Sequence, residues 1–292
     1  MIIINAYILI IIADLLLAGN FVFQKKYQKI AGTSVKAGLV FNGLLGVVSA
    51  VMYIVMNKFC IHITTYSLIM ATLYTVFIMV YVFIGFKIME KGNMSLYTLF
   101  LMAGGMTVPF VWGVVFWQEQ ISVWRVLGLV AIVGSMVIST SGINKPDKKQ
   151  ILLCVAVFFL NGLVSVTSKA HQISEASKYV TAEDFALIAM IAKAVICFVA
   201  LAVISRKATV KERLPLKPVL WVSVMAGVIG GLASLFMLVG AVSVPATILY
   251  PLNTGGCVIF TALAGWIFCK EKITKRQWTG IAICFIGTLL FL

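Results

Sequence analysis

Apolar runs of about 20 residues, the length an α-helix needs to cross hydrocarbon, recur ten times along this chain. They fall near 3–23, 36–57, 65–88, 93–117, 123–142, 151–169, 183–205, 218–240, 242–268 and 276–292, with short polar breaks between them. The pattern predicts ten transmembrane helices and leaves no room for a soluble domain. The two longer hydrophilic breaks are Gly142–Gln150 and the segment around Arg206–Lys217. Spans eight and nine meet so closely near Gly240–Ser243 that a tight hairpin is expected. The first run opens Met1-Ile-Ile-Ile-Asn, with neither a positive leader nor a small-residue cleavage site, and reads as a span rather than a removable signal.

A second pattern lies over the first. Gly256, Gly265, Phe268, Glu271, Ile273 and Gly280 repeat Gly104, Gly113, Phe116, Glu119, Ile121 and Gly128 at one fixed offset. Thr274 answers Ser122 and Gly287 answers Ser135 at the same offset. The register predicts a duplication, with one five-helix repeat over 1–143 and a second over 151–292, joined by the polar linker.

Charge adds orientation. Most of the 23 Lys and Arg residues sit in the connections that follow spans one, three, five, seven and nine. The 8–9 connection and the termini hold none. Positive loops face the cytoplasm, which places both termini outside and makes the second half inverted relative to the first. Composition agrees: 62% of the chain is hydrophobic and 11% charged, with a mean hydropathy of +1.09, against about 25% charged in soluble domains. The net charge of +14 is dispersed in short loops, so nucleic acid is not an expected partner. The six cysteines follow no metal-ligand spacing and read as small packing residues. His62 and His171, both assigned to connections, stand near no second ligand. Neither a metal, a cofactor nor an enzyme activity is expected.

The hairpin pattern Gly-x-x-Phe-x-x-Glu-x-Ile-Ser/Thr-x₅-Gly, present in both halves, resembles the drug/metabolite transporter superfamily, EamA-type ten-helix branch. Ala18-Gly-Asn-Phe-Val-Phe-Gln-Lys25 and Gly162-Leu-Val-Ser-Val-Thr-Ser-Lys169 add the family's glycine- or asparagine-bearing first helix with a terminal lysine. The sequence departs from the family at Leu17 and Asn161, where a tryptophan is common. The resemblance implies a secondary transporter in the inner or plasma membrane, a monomer or homodimer, exporting small amino-acid-like or amphipathic solutes by alternating access. It also implies a central cavity walled by helices one, three, four, six, eight and nine. A lipid-headgroup flippase and a non-transporting membrane scaffold are the alternatives. No phosphate-binding loop is present, so a gradient or exchange is the expected energy source.

Candidate pathway residues follow from the cost of polarity in lipid. Asp14 and Lys193 are mid-span charges of opposite sign, one per half, and each costs about 2.5–3.5 kcal/mol at bilayer depth on insertion scales. Pairing with each other would lower that cost, and Asp14 could then take a proton or a cationic group. Asn20 and Gln24 share one face of helix one. Asn161 and Thr167 lie in helix six and Asn42 in helix two. Tyr250, Asn253 and Thr254 surround Pro251, which is expected to interrupt helix nine. Trp112, with Phe110 and Tyr97, could wall the cavity, beside a proline at Pro109. Glu119 and Glu271 read as structural acids next to residues that cap the following helix. The small-residue stripes Gly128/Ser135, Gly280/Gly287 and Gly227/Gly231 suit close packing, within the chain or between copies.

Overall fold

The structure, a computed structural model, describes residues 2–89, 94–140, 147–206, 216–270 and 272–292. The 142–146 part of the expected repeat boundary, most of the 206–217 segment and Glu271 lie outside the described residues. Ten α-helices follow one another: α1 Ile2–Ala31, α2 Val35–Met56, α3 Thr65–Met89, α4 Met94–Phe116, α5 Val123–Ser139, α6 Lys148–Ile173, α7 Ala182–Arg206, α8 Leu216–Ser243, α9 Ala246–Cys269 and α10 Lys275–Leu289. One short 3₁₀ turn, Glu175–Ser177, precedes α7. Among the described residues there is no strand.

Local chemistry sets the helix ends. α1 runs past its apolar segment through Lys25 and Lys29 and stops at Gly32, whose φ of 78° only glycine adopts readily. Ser34 then caps α2 through the Ala37 amide. Ser122 caps α5, and Asp147 and Thr274 open α6 and α10 with reciprocal capping boxes to Gln150 and Gln277. The α8–α9 hairpin is as tight as expected, with only Val244 and Pro245 between the helices. Pro109 and Pro251 lie inside α4 and α9, and both helices continue through them. The expected interruption of helix nine is therefore corrected: α9 runs from Ala246 to Cys269 with Pro251 inside it, at the loss of the one amide donor that would reach the Thr247 carbonyl.

Among the described residues, eight helices are long and apolar enough to cross a membrane. α5 and α10, at 17 and 15 residues, fall short of the roughly 20 a full span requires. All ten expected helices are present, eight of them long enough for a full span and two shorter. The short pair packs together. A Cβ at Gly128 would come within 2.8 Å of the Gly287 carbonyl, and one at Gly280 within 3.0 Å of the Ser135 carbonyl. The Gly227/Gly231 stripe likewise packs inside the chain. Ser49 donates to the Gly227 carbonyl at 2.8 Å and Tyr53 to the Gly231 carbonyl at 2.7 Å, fastening α2 to α8. The main helix pairings are α1 with α8 and α9, α6 with α3 and α4, α2 with α7 and α8, α3 with α7, α4 with α9, and α5 with α10.

Candidate functional site

A cavity of about 420 Å³ opens in the middle of the bundle. Its walls come from α1, α2, α3, α7, α8 and α9, so α2 and α7 take the places that the resemblance gave to helices four and six. The reason is packing. α6 is held against α4 by Asn161, whose Nδ2 donates to the Leu101 carbonyl at 2.7 Å, and its polar face is consumed there.

Four of the expected pathway residues meet in this cavity: Asn20, Gln24, Asn42 and Lys193. Ser49, Ser234 and Thr261 join them, as do Tyr74 and Tyr81, two α3 tyrosines that sequence reasoning passed over. Their spacing of seven places both hydroxyls on one helical stripe, which was the available signal. Asn20 is partly engaged, donating to the Ala226 carbonyl at 3.0 Å, and Asn42 donates back to Gly38 at 2.9 Å. The remaining wall is apolar, including Phe21, Phe41 and Met190.

The other candidates lie elsewhere. Asp14 is 1% exposed and buried between α1 and α9, where its Oδ2 lies 2.1 Å from the position of a Cβ at Gly256. Its Oδ1 has no hydrogen-bond partner. No ion pair within 4.0 Å joins Asp14 to Lys193, so the expected charge pair is not formed. The two side chains leave their helices in different directions, Asp14 toward α9 and Lys193 into the cavity. Tyr250 is locked on α6, its hydroxyl donating to the Ser165 carbonyl and lying 3.2 Å from Ser168 Oγ. Thr254 is buried in the core of α9, and Asn253 keeps a buried Oδ1 without a partner. Trp112 stacks on Phe116, ring centroids 4.2 Å apart, and Phe110 is core. None of these six candidates lines the cavity.

One end of the bundle is fastened by opposite charges. The Glu119 carboxylate accepts from the Ala246 and Thr247 amides, at 2.7 and 2.8 Å, and so caps the N-terminus of α9. Lys169 donates to the Ala241 and Val244 carbonyls, at 3.0 and 2.6 Å, and caps the C-terminus of α8. The two charges also interact with each other, and Trp117 covers the ammonium at 5.8 Å from its ring centroid. Glu119 is structural as expected, though its partner is α9 rather than the helix that follows it. Lys169, the terminal lysine of the helix motif, and His171, assigned to a connection in the sequence, both lie inside α6. The His171 ring is fully buried between Tyr66 and Phe185, with Nε2 2.8 Å from Ser67 Oγ. Among the described residues no group of His, Cys, Asp and Glu is arranged to hold a metal ion.

These features define a helical, multi-pass membrane protein with a polar cavity at mid-bundle. Residues 148–292, all of the second half, match the EamA-like transporter family. This half therefore carries an EamA-like transporter domain, in line with the resemblance of its hairpin motif to the drug/metabolite transporter class. No curated protein matches it in sequence. Among solved structures, 28 chains match. One of these, described only as "Crystal structure of protein", has a TM-score of 0.77, covering 98% of this chain and 96% of that chain at 14% identity. At that identity the likeness is one of fold.

Proposed function

We propose that the protein is a secondary transporter that exports small metabolites from the cytoplasm by alternating access, with the mid-bundle cavity as its substrate site. The observation that carries this reading is the cavity itself. It is a polar pocket about 420 Å³ in volume, walled by membrane-spanning helices of both halves. Ligand pockets run from about 300 to 1,000 Å³, and polar groups at membrane depth are tolerated where they line a wet cavity.

Alternation needs two halves that can rock against each other. Exchanging α1–α5 for α6–α10 maps the pairings α1–α8 and α1–α9 onto α6–α3 and α6–α4, and maps α2–α7, α4–α9 and α5–α10 onto themselves. The close contacts follow the same rule: Gly104 meets the Phe158 backbone and Gly256 meets Asp14, which stands at the matching place on α1. These correspondences support an inverted duplication. Basic residues in alternate connections favour both termini outside the cytoplasm. The α8–α9 hairpin, held by Glu119 and Lys169, then closes the outer end of the pathway. Asn20, Gln24 and Lys193 are the substrate contacts, and Asp14, with its unpartnered oxygen at the α1–α9 seam, is the group through which a proton would couple.

The test is efflux from proteoliposomes loaded with a mixture of small metabolites, followed by mass spectrometry. Selective loss of a subset of solutes through the full-length protein is the expected result. Retention of every solute as in protein-free liposomes would favour a scaffold instead.

A further inference from the structure

Resting on that reading of the cavity, we infer that its ligand is a monoanion with an apolar body, rather than a zwitterion or a cation. Lys193 supplies a positive charge at mid-membrane, half-buried in the cavity wall. It has no hydrogen-bond or ion-pair partner among the described residues, and no Asp or Glu lines the cavity. Asp14, the acid that could have neutralised it, faces α9 instead. An ammonium held alone at this depth is costly, and an anion entering the cavity supplies the missing complement.

The neighbouring polar groups point the same way. Gln24, Tyr74 and Tyr81 line the cavity with no hydrogen-bond partner among the described residues. Each offers at least one N–H or O–H donor, and a carboxylate or sulfonate can accept several at once. Hydrogen bonds to a charged acceptor are about twice as strong as neutral ones. One lysine balances one negative charge, so a dianion would leave charge uncompensated. A zwitterion would place its ammonium where no carboxylate waits. Phe21 and Phe41 give the rest of the ligand an apolar wall.

The experiment measures binding, so that it stands apart from transport. Thermal unfolding of the purified full-length protein in detergent is followed at fixed ionic strength with benzoate, benzenesulfonate, benzamide or phenylalanine. The two monoanions should raise the midpoint saturably, while the neutral amide and the zwitterion should bind roughly tenfold or more weakly, the loss expected for hydrogen bonds to a charged group. Lys193→Gln should lose the monoanion shift, and Lys193→Arg should keep most of it. Equal shifts from benzoate and benzamide in the unaltered protein would overturn the inference without recourse to any variant. So would a benzoate shift undiminished in well-folded Lys193→Gln. Vesicle efflux confined to cations or zwitterions, with no monoanion binding, refutes this inference and leaves transport standing. Monoanion binding without efflux of any solute does the reverse.

Discussion

Glu119→Ala is the sharpest test of how this fold is held together. α9 begins at Ala246 behind Pro245, which provides no side-chain cap. The helix therefore depends on a carboxylate 127 positions earlier to satisfy the amides of Ala246 and Thr247. A hydrogen bond to a charged group contributes about 1.5–3 kcal/mol, and an acid at a helix N-terminus adds roughly 0.3–1 kcal/mol from the dipole. Glu119 is only half-buried, so screening reduces the sum. About 2–4 kcal/mol remains. At roughly 2–4 °C per kcal/mol for a chain approaching this size, the unfolding midpoint of Glu119→Ala in detergent should fall by about 5–15 °C. Glu119→Gln keeps one acceptor oxygen without the charge and should fall about half as far. A cycle with Lys169→Met should be non-additive by about 0.5–3 kcal/mol, because the two side chains grip the two ends of one hairpin. A Glu119→Ala midpoint equal to that of the unaltered protein would refute the claim that this carboxylate organises the α8–α9 turn.

Three further substitutions have defined signs. Gly256→Ala should destabilise by about 1–3 kcal/mol, because its methyl would overlap Asp14, whereas Gly134→Ala should stabilise by about 0.5–1 kcal/mol, because a Cβ there meets nothing within 4 Å; paired melting curves decide both signs. Asn161→Ala leaves the Leu101 carbonyl without its donor and should cost about 0.6–1.7 kcal/mol, the range for interhelical bonds in membranes, with no change in ligand preference because the residue does not line the cavity. Asp14→Asn preserves shape at the Gly256 contact and should leave the protein folded while flattening the pH dependence of efflux; a pH profile identical to that of the unaltered protein would remove Asp14 from proton coupling.

The helices were legible because the burial requirement is written in the chain at every position. In lipid each backbone amide must be satisfied within its own segment, so an apolar run long enough to span is nearly sufficient to assign a helix. Helix ends were less legible where polar residues continue the helix. His171 follows the apolar part of α6 and looks like a loop residue, yet it is buried in α6 by long-range contacts that leave no periodic trace. The repeated glycines were readable for the opposite reason. They stand where another helix approaches closely, as when Gly128 faces the Gly287 carbonyl and Gly280 the Ser135 carbonyl.

The site was only half legible, and Asp14 and Lys193 show why. In sequence they are equivalent: single charges, each inside an apolar run. Their roles depend on which way each helix is rotated, and successive residues turn by about 100° around an α-helix. A direct pairing of the two would have required both helices to face a common space. The glycine at position 256 instead admits the Asp14 carboxyl against α9, which frees the cavity of negative charge. The same glycine has its counterpart at Gly104, where α6 presents Phe158. Gly104 thus admits backbone atoms of α6, whereas Gly256 admits the carboxyl side chain of Asp14. That placement, rather than the proline segment at Tyr250–Thr254, keeps the acid out of the cavity that Lys193 lines.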